Sequence, residues 1–248
     1  MPLATEGTTA TRSAERGRIH REVFHVRSLI NSIAFSSLFL GTAFLALNPD
    51  WFDRPVANTI KDIIRDHQFS NGLMVGVAYP TLEGVVVLSL LWYCWFSDLT
   101  VESRARILSS AVAAVFAGFI AHLLRAAPFL NVTRFPSERA AMFAALAIAV
   151  FLLRPKLGWF ALGWTLVVQI CRIFLEFHAP TEIIGSFCLG AALVWLFQMR
   201  WGAELGLRLI GWEAGSASTF YMCAFFASYQ MSTAFQDLRE LASQFLDF

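Results

Sequence analysis

Apolar residues in this chain gather into long runs, and the polar residues are confined to the stretches between them. Six runs stand out, at about 29–47, 72–96, 107–124, 139–153, 157–175 and 183–199. A helix needs roughly 20 residues to cross a hydrocarbon core of about 30 Å, so the pattern predicts six spans. The first run closes on the turn signal Asn48-Pro49-Asp50. The second contains Pro80 and Glu83, and the short fourth run borrows length from Pro136 and Ser137. Residues 51–71 are polar and amphipathic, which predicts a short interfacial helix led by Trp51 and Phe52. Residues 219–235 are apolar but broken by Ser, Tyr and Gln; they read as an interfacial helix or a seventh span.

Composition supports the membrane reading. Hydrophobic residues make up 57% of the 248 and charged residues only 15%, against roughly 25% charged in soluble domains. Mean hydropathy is +0.58. The 24 Phe and 8 Trp suit a bilayer protein with aromatic residues at its interfaces. The expected fold class is therefore all-α: a polytopic membrane protein with a six-helix bundle and an extra C-terminal amphipathic or seventh helix. Residues 1–27 form a polar N-terminal tail, disordered or surface-lying. Residues 28–200 form the transmembrane domain and residues 201–248 a C-terminal amphipathic or interfacial segment. A net charge of +1 offers no electrostatic footprint for nucleic acid. Cys94, Cys171, Cys188 and Cys223 lie in apolar stretches without metal-ligand spacing and read as buried thiols. The Arg-rich start has no short apolar core ending in a cleavage site, so no cleavable signal is expected.

Arg and Lys placement sets the expected orientation. With a cytoplasmic N-terminus, Arg104, Arg106, Arg154, Lys156, Arg200 and Arg208 fall inside with the basic tail. Arg125, Arg134, Arg139 and Arg172 then converge on one outer rim. A bacterial inner membrane with the site on its periplasmic face fits that arrangement.

The densest chemistry on that rim is Arg172-Ile-Phe-Leu-Glu-Phe-His178-Ala-Pro-Thr-Glu182. Ionisable residues at a membrane edge are functional candidates by default. Histidine titrates near neutrality, and as a nucleophile it needs one ring nitrogen held by an acceptor. Glu182, four residues on, is placed to reach back from the first turn of a helix started by Pro180. That helix N-terminus favours an anion, and Arg172 suits a forked contact with phosphate oxygens. Taken singly, each residue has a plainer use. Glu182 caps a helix start, Arg172 snorkels to the interface, and His122 is a packed helix residue. Glu83 either pairs with a rim arginine or sits protonated in the bundle.

These residues resemble the type 2 phosphatidic acid phosphatase (PAP2) superfamily over roughly residues 70–200. The family's third motif is Ser-Arg, five residues, His, three residues, Asp; this chain reads Cys171-Arg172, five residues, His178, three residues, Glu182, then Ile183-Ile184-Gly185. The second, Pro-Ser-Gly-His, is matched by Pro136-Ser137-Glu138-Arg139 after Phe135. Of the first, Lys, six residues, Arg-Pro, only Pro128 remains, with Ile120 and Ala127 at the charged positions and Arg125 just upstream. The resemblance implies a lipid phosphate or diphosphate phosphatase or phosphotransferase working through a phospho-histidine. His178 and Glu182 are its catalytic residues, and Arg172, Arg139, Ser137 and Arg125 bind substrate. Neither cofactor nor metal is implied, and undecaprenyl diphosphate is a substrate by analogy. Arg139 stands where the family has its general-acid His, which a guanidinium does not replace. A catalytically impaired protein that binds lipid phosphates or assists envelope assembly is the alternative.

Overall fold

Residues 6–47, 51–66, 80–97, 100–126, 135–233 and 235 are described by a computed structural model. Among them the chain forms nine α-helices and no strand: α1 (Glu6–Ala46), α2 (Asp53–Asp66), α3 (Pro80–Phe96), α4 (Val101–Ala126), α5 (Glu138–Leu153), α6 (Pro155–Phe174), α7 (Pro180–Phe197), α8 (Arg200–Gly215) and α9 (Ala217–Ser232).

Four helices are long and apolar enough to cross a membrane: His25–Ala46 within α1, then α4, α6 and α7. By length and composition this is a helical membrane protein. The other two expected spans are shorter where described, with 17 residues in α3 and 16 in α5. Residues 72–79, the first part of the expected second span, and the Asn48-Pro49-Asp50 turn lie outside the described residues. The polar segment before residue 28 is not irregular, because the chain is helical from Glu6. Hydropathy marks where a helix meets lipid, and the helix itself continues past that limit.

Alanine decides what stands at the centre. Ala140, Ala141, Ala144, Ala145, Ala147 and Ala149 make α5 narrow, and all are buried. It packs against α3, α4, α6 and α7. Small residues let helix backbones approach closely where lipid supplies no hydrophobic drive to associate. Gly190 of α7 is one such approach, since a Cβ there would stand 2.5 Å from the Ala141 carbonyl oxygen. Around this axle Phe143, Leu146, Val150, Val87, Ala113, Ala117 and Val194 form the main apolar core.

The long helix α1 lies outside and packs on α7. Ser28 Oγ donates to the Trp195 carbonyl at 2.5 Å, and Ser32 Oγ, one turn later, donates to that of Ala192 at 3.0 Å. Its other faces expose Ile30, Ile33, Leu40 and Phe44, as lipid contact requires.

At the C-terminal end α9, the segment read as interfacial or spanning, is a 16-residue helix against α3 and α8. Trp92 stacks on Phe225 at 4.4 Å between centroids, and its Nε1 donates to Ser228 Oγ at 3.1 Å. Arg104 lies over Trp95 and Arg154 over Tyr93, so two of the arginines expected inside sit among aromatics.

Candidate functional site

Three helix starts and two helix ends meet at one end of the bundle. The starts are those of α3, α5 and α7; the ends are those of α4 and α6. Side-chain contacts among Glu83, His122, Glu138, Arg172 and the residues around His178 tie them together.

The turn between α6 and α7 carries the His. Helix α6 ends in a Schellman motif: the Phe177 N–H donates to the Arg172 carbonyl at 2.9 Å and that of Glu176 to Ile173 at 3.0 Å. Glu176 takes the left-handed position, with φ 60°. His178 follows, and α7 opens with Pro180 in its first turn. His178 Nδ1 and Glu182 Oε2 are 2.8 Å apart, with the imidazole about one-fifth exposed and the carboxylate buried. That bond sets the tautomer: Nδ1–H donates to Glu182, leaving the lone pair on Nε2. His178 lines a cavity of about 390 Å³ with Arg125, Glu176 and Phe177.

The amphipathic helix α2 straps this turn at both ends. Ala179, the residue before α7, supplies no side-chain cap. Asp53 acts in its place: its Oδ1 accepts the Thr181 N–H and its Oδ2 the Thr181 hydroxyl, both at 2.8 Å in a buried setting. The anion expected at this helix start is thus one of the chain's own carboxylates. At the other end Lys61 donates to Glu176 and holds its carboxyl below the ordinary carboxylate range.

The second-motif segment is fastened to the third. Gly185 leaves room for the Phe135 ring, which a Cβ there would meet at 2.4 Å. The Ser137 N–H donates to Ser186 Oγ at 2.8 Å, and Ser186 Oγ donates to the Glu182 carbonyl at 2.5 Å. Ser137 is buried and caps α5 by accepting from Ala140 N–H at 3.4 Å. Its expected role as a phosphate ligand therefore competes with a structural one.

The arginines are not all turned to the cavity. Arg172 is buried, with Nη1 3.3 Å from Glu83 Oε2, and Gln169 Nε2 donates to the other Glu83 oxygen at 2.8 Å. Glu83 thus stands next to a rim arginine, as the first of its two readings expected. Arg139, half-buried in the first turn of α5, lies within electrostatic reach of the same carboxylate. Arg125 reaches the cavity and also stands 3.9 Å from Glu138 Oε1. That oxygen meets His122 Nδ1 at 2.8 Å, so His122 is not simply packed. Ala127, Pro128 and Arg134 lie outside the described residues.

Sequence reasoning missed Asp53, Lys61, Ser186 and the His122–Glu138 pair. Its one available signal was the strong amphipathicity of α2. Among the described residues no group of three or more His, Cys, Asp or Glu is placed to hold a metal. No family model, curated protein or solved structure matches this chain.

Proposed function

We propose that the protein is an integral-membrane phosphatase or phosphotransferase acting on a lipid phosphate or diphosphate. The observation that carries this reading is the His178–Glu182 bond of 2.8 Å beside a cavity that Arg125 also lines. Nε2 of His178 attacks phosphorus, the P–O bond to the leaving group breaks, and water then hydrolyses the phospho-histidine. Glu182 holds the imidazole in its attacking tautomer and balances the positive charge it acquires. Arg125 and Arg139, with Arg172 shared against Glu83, stabilise the phosphoryl oxygens, and such electrostatic stabilisation does most to speed phosphoryl transfer.

The PAP2 likeness rests on the motif residues and supports the same chemistry. On this reading six helices cross the membrane, α3 and α5 included. The N-terminus is cytoplasmic and the site opens on the periplasmic side of a bacterial inner membrane. A diphosphate such as undecaprenyl diphosphate suits the site by analogy, because its phosphate leaving group needs less protonation than an alkoxide.

The test is phosphate release by purified protein from a panel of lipid phosphates and diphosphates, alongside His178→Ala. Release from any of them that His178→Ala abolishes is the expected result; none above the variant would refute turnover. A second reading has its own observation: Arg172 is engaged by Glu83, and Arg139 replaces the family's acid. A protein that binds lipid phosphates without turning them over would then release nothing in that assay while still being captured by vesicles that carry the lipid phosphate.

A further inference from the structure

A second His–carboxylate pair stands at the same end of the bundle. His122, in the last turns of α4, holds Glu138 of α5 through Nδ1 at 2.8 Å. Its ring is about half exposed, and the carboxylate is largely buried. Glu138 thus orients the imidazole and leaves Nε2 to exchange a proton with whatever enters. Both residues line a cavity of about 260 Å³ whose other walls are Val115, Gly118, Phe119, Met142 and Phe235. Arg125, one turn beyond His122 on α4, joins the two places: it approaches Glu138 Oε1 and lines the His178 cavity.

Transfer of a phosphoryl group from a lipid monoester expels an alkoxide, which must be protonated as it leaves. Arginine does not give up its proton. The chain has five histidines. His20 and His25 lie on α1 ahead of Ser28, which meets α7 at its far end, and His67 is outside the described residues. His178 is already occupied in attack. Among the described histidines, that leaves His122 at this rim.

We propose that His122, oriented by Glu138, is the proton donor to the leaving oxygen when the substrate is a lipid monoester. The proposal rests on the phosphoryl-transfer reading above. As the P–O bond breaks, its electron pair stays on the lipid oxygen, which takes the proton from His122 Nε2. In the second half, His122 takes a proton from the attacking water, and the P–N bond to His178 breaks as the new P–O bond forms. Both histidines return to their starting states. The apolar walls beside His122 suit the first carbons of the lipid chain, which leave with that oxygen.

The test compares two monoesters in detergent-solubilised full-length protein. Dioleoyl phosphatidate has an alkoxide leaving group; p-nitrophenyl phosphate has one that needs no proton. In His122→Gln, phosphatidate hydrolysis is expected to fall roughly 100- to 1,000-fold, with p-nitrophenyl phosphate within about threefold. His122→Asn, assayed in parallel, guards against a folding defect in either variant, and thermal unfolding of both checks it. Equal falls on the two substrates, or no fall on phosphatidate, overturn the proton-donor role while His178-dependent turnover stands. Absence of turnover on both monoesters by the unsubstituted protein overturns the donor role, while the phosphoryl-transfer reading stands or falls on the diphosphates of the panel with His178→Ala.

Discussion

The buried pair of Glu83 and Arg172 yields the most quantitative expectation. Glu83 is fully buried and the Arg172 side chain about 4% exposed, with 3.3 Å between them. Neither has bulk water to turn to. Replacing Glu83 by Met leaves a guanidinium in the bundle without its carboxylate, and leaves Gln169 Nε2 without its acceptor. Breaking a buried ion pair from one side costs about 3–5 kcal/mol, whereas removing both partners is often neutral. For a chain of this size that corresponds to a fall in Tm of roughly 6–20 °C. Cys94, Cys171 and Cys188 are buried free thiols, whereas Cys223, expected buried, is partly exposed; a dye that fluoresces on reaction with thiols therefore reports unfolding as signal added to that of Cys223. Glu83→Met is expected to melt well below the unsubstituted protein, and Glu83→Met with Arg172→Met to recover at least half the loss. A single variant within about 2 °C of the parent, or a double variant no better than the single, would refute the coupling. The double variant also separates stability from chemistry: recovered folding without phosphate release marks Arg172 as a ligand of the phosphoryl group as well as a bundle strut.

Three further expectations concern how the site is held. Asp53→Ala removes two buried hydrogen bonds from Thr181; it should cost about 1–3 kcal/mol in the same melting assay and lower phosphate release, while Asp53→Glu should recover part of both. Gly190→Val drives side-chain atoms into the Ala141 carbonyl, so α5 and α7 must separate; a normal melting curve for this variant would contradict the close approach assigned to them. Lys61 lowers the Glu176 pKa, so the pair's contribution is present above the ordinary carboxylate range and is lost as pH falls through the depressed value. In acid titrations at low salt, Lys61→Gln should flatten that part of the stability curve, and added salt should have the same effect on the parent.

Much of the helical framework was legible in the hydropathy pattern because lipid and core both select apolar side chains. The His178–Glu182 contact was legible too, since four residues across a helix start place the carboxylate beside the ring. Longer-range partners were not. Asp53 and Thr181 are 128 residues apart, and nothing local marks Asp53 as the cap for a helix whose own preceding residue is Ala179. Arg172 read as a rim arginine because its neighbours in sequence are apolar; its partner Glu83 comes from another helix. His122 read as a packing residue because its carboxylate, Glu138, belongs to the next helix. Hydropathy also stopped short at both ends: it did not register the polar helix before residue 28, and α8 was hidden inside a segment described only as amphipathic.

The central claim is that His178 becomes phosphorylated. Protein mixed with a lipid diphosphate carrying radiolabelled terminal phosphate, then quenched in alkali, tests it directly. The expected result is alkali-stable, acid-labile label on the peptide containing His178, lost in His178→Ala and weakened in Glu182→Ala. Phosphate release with no such label, or equal label in His178→Ala, would contradict the account.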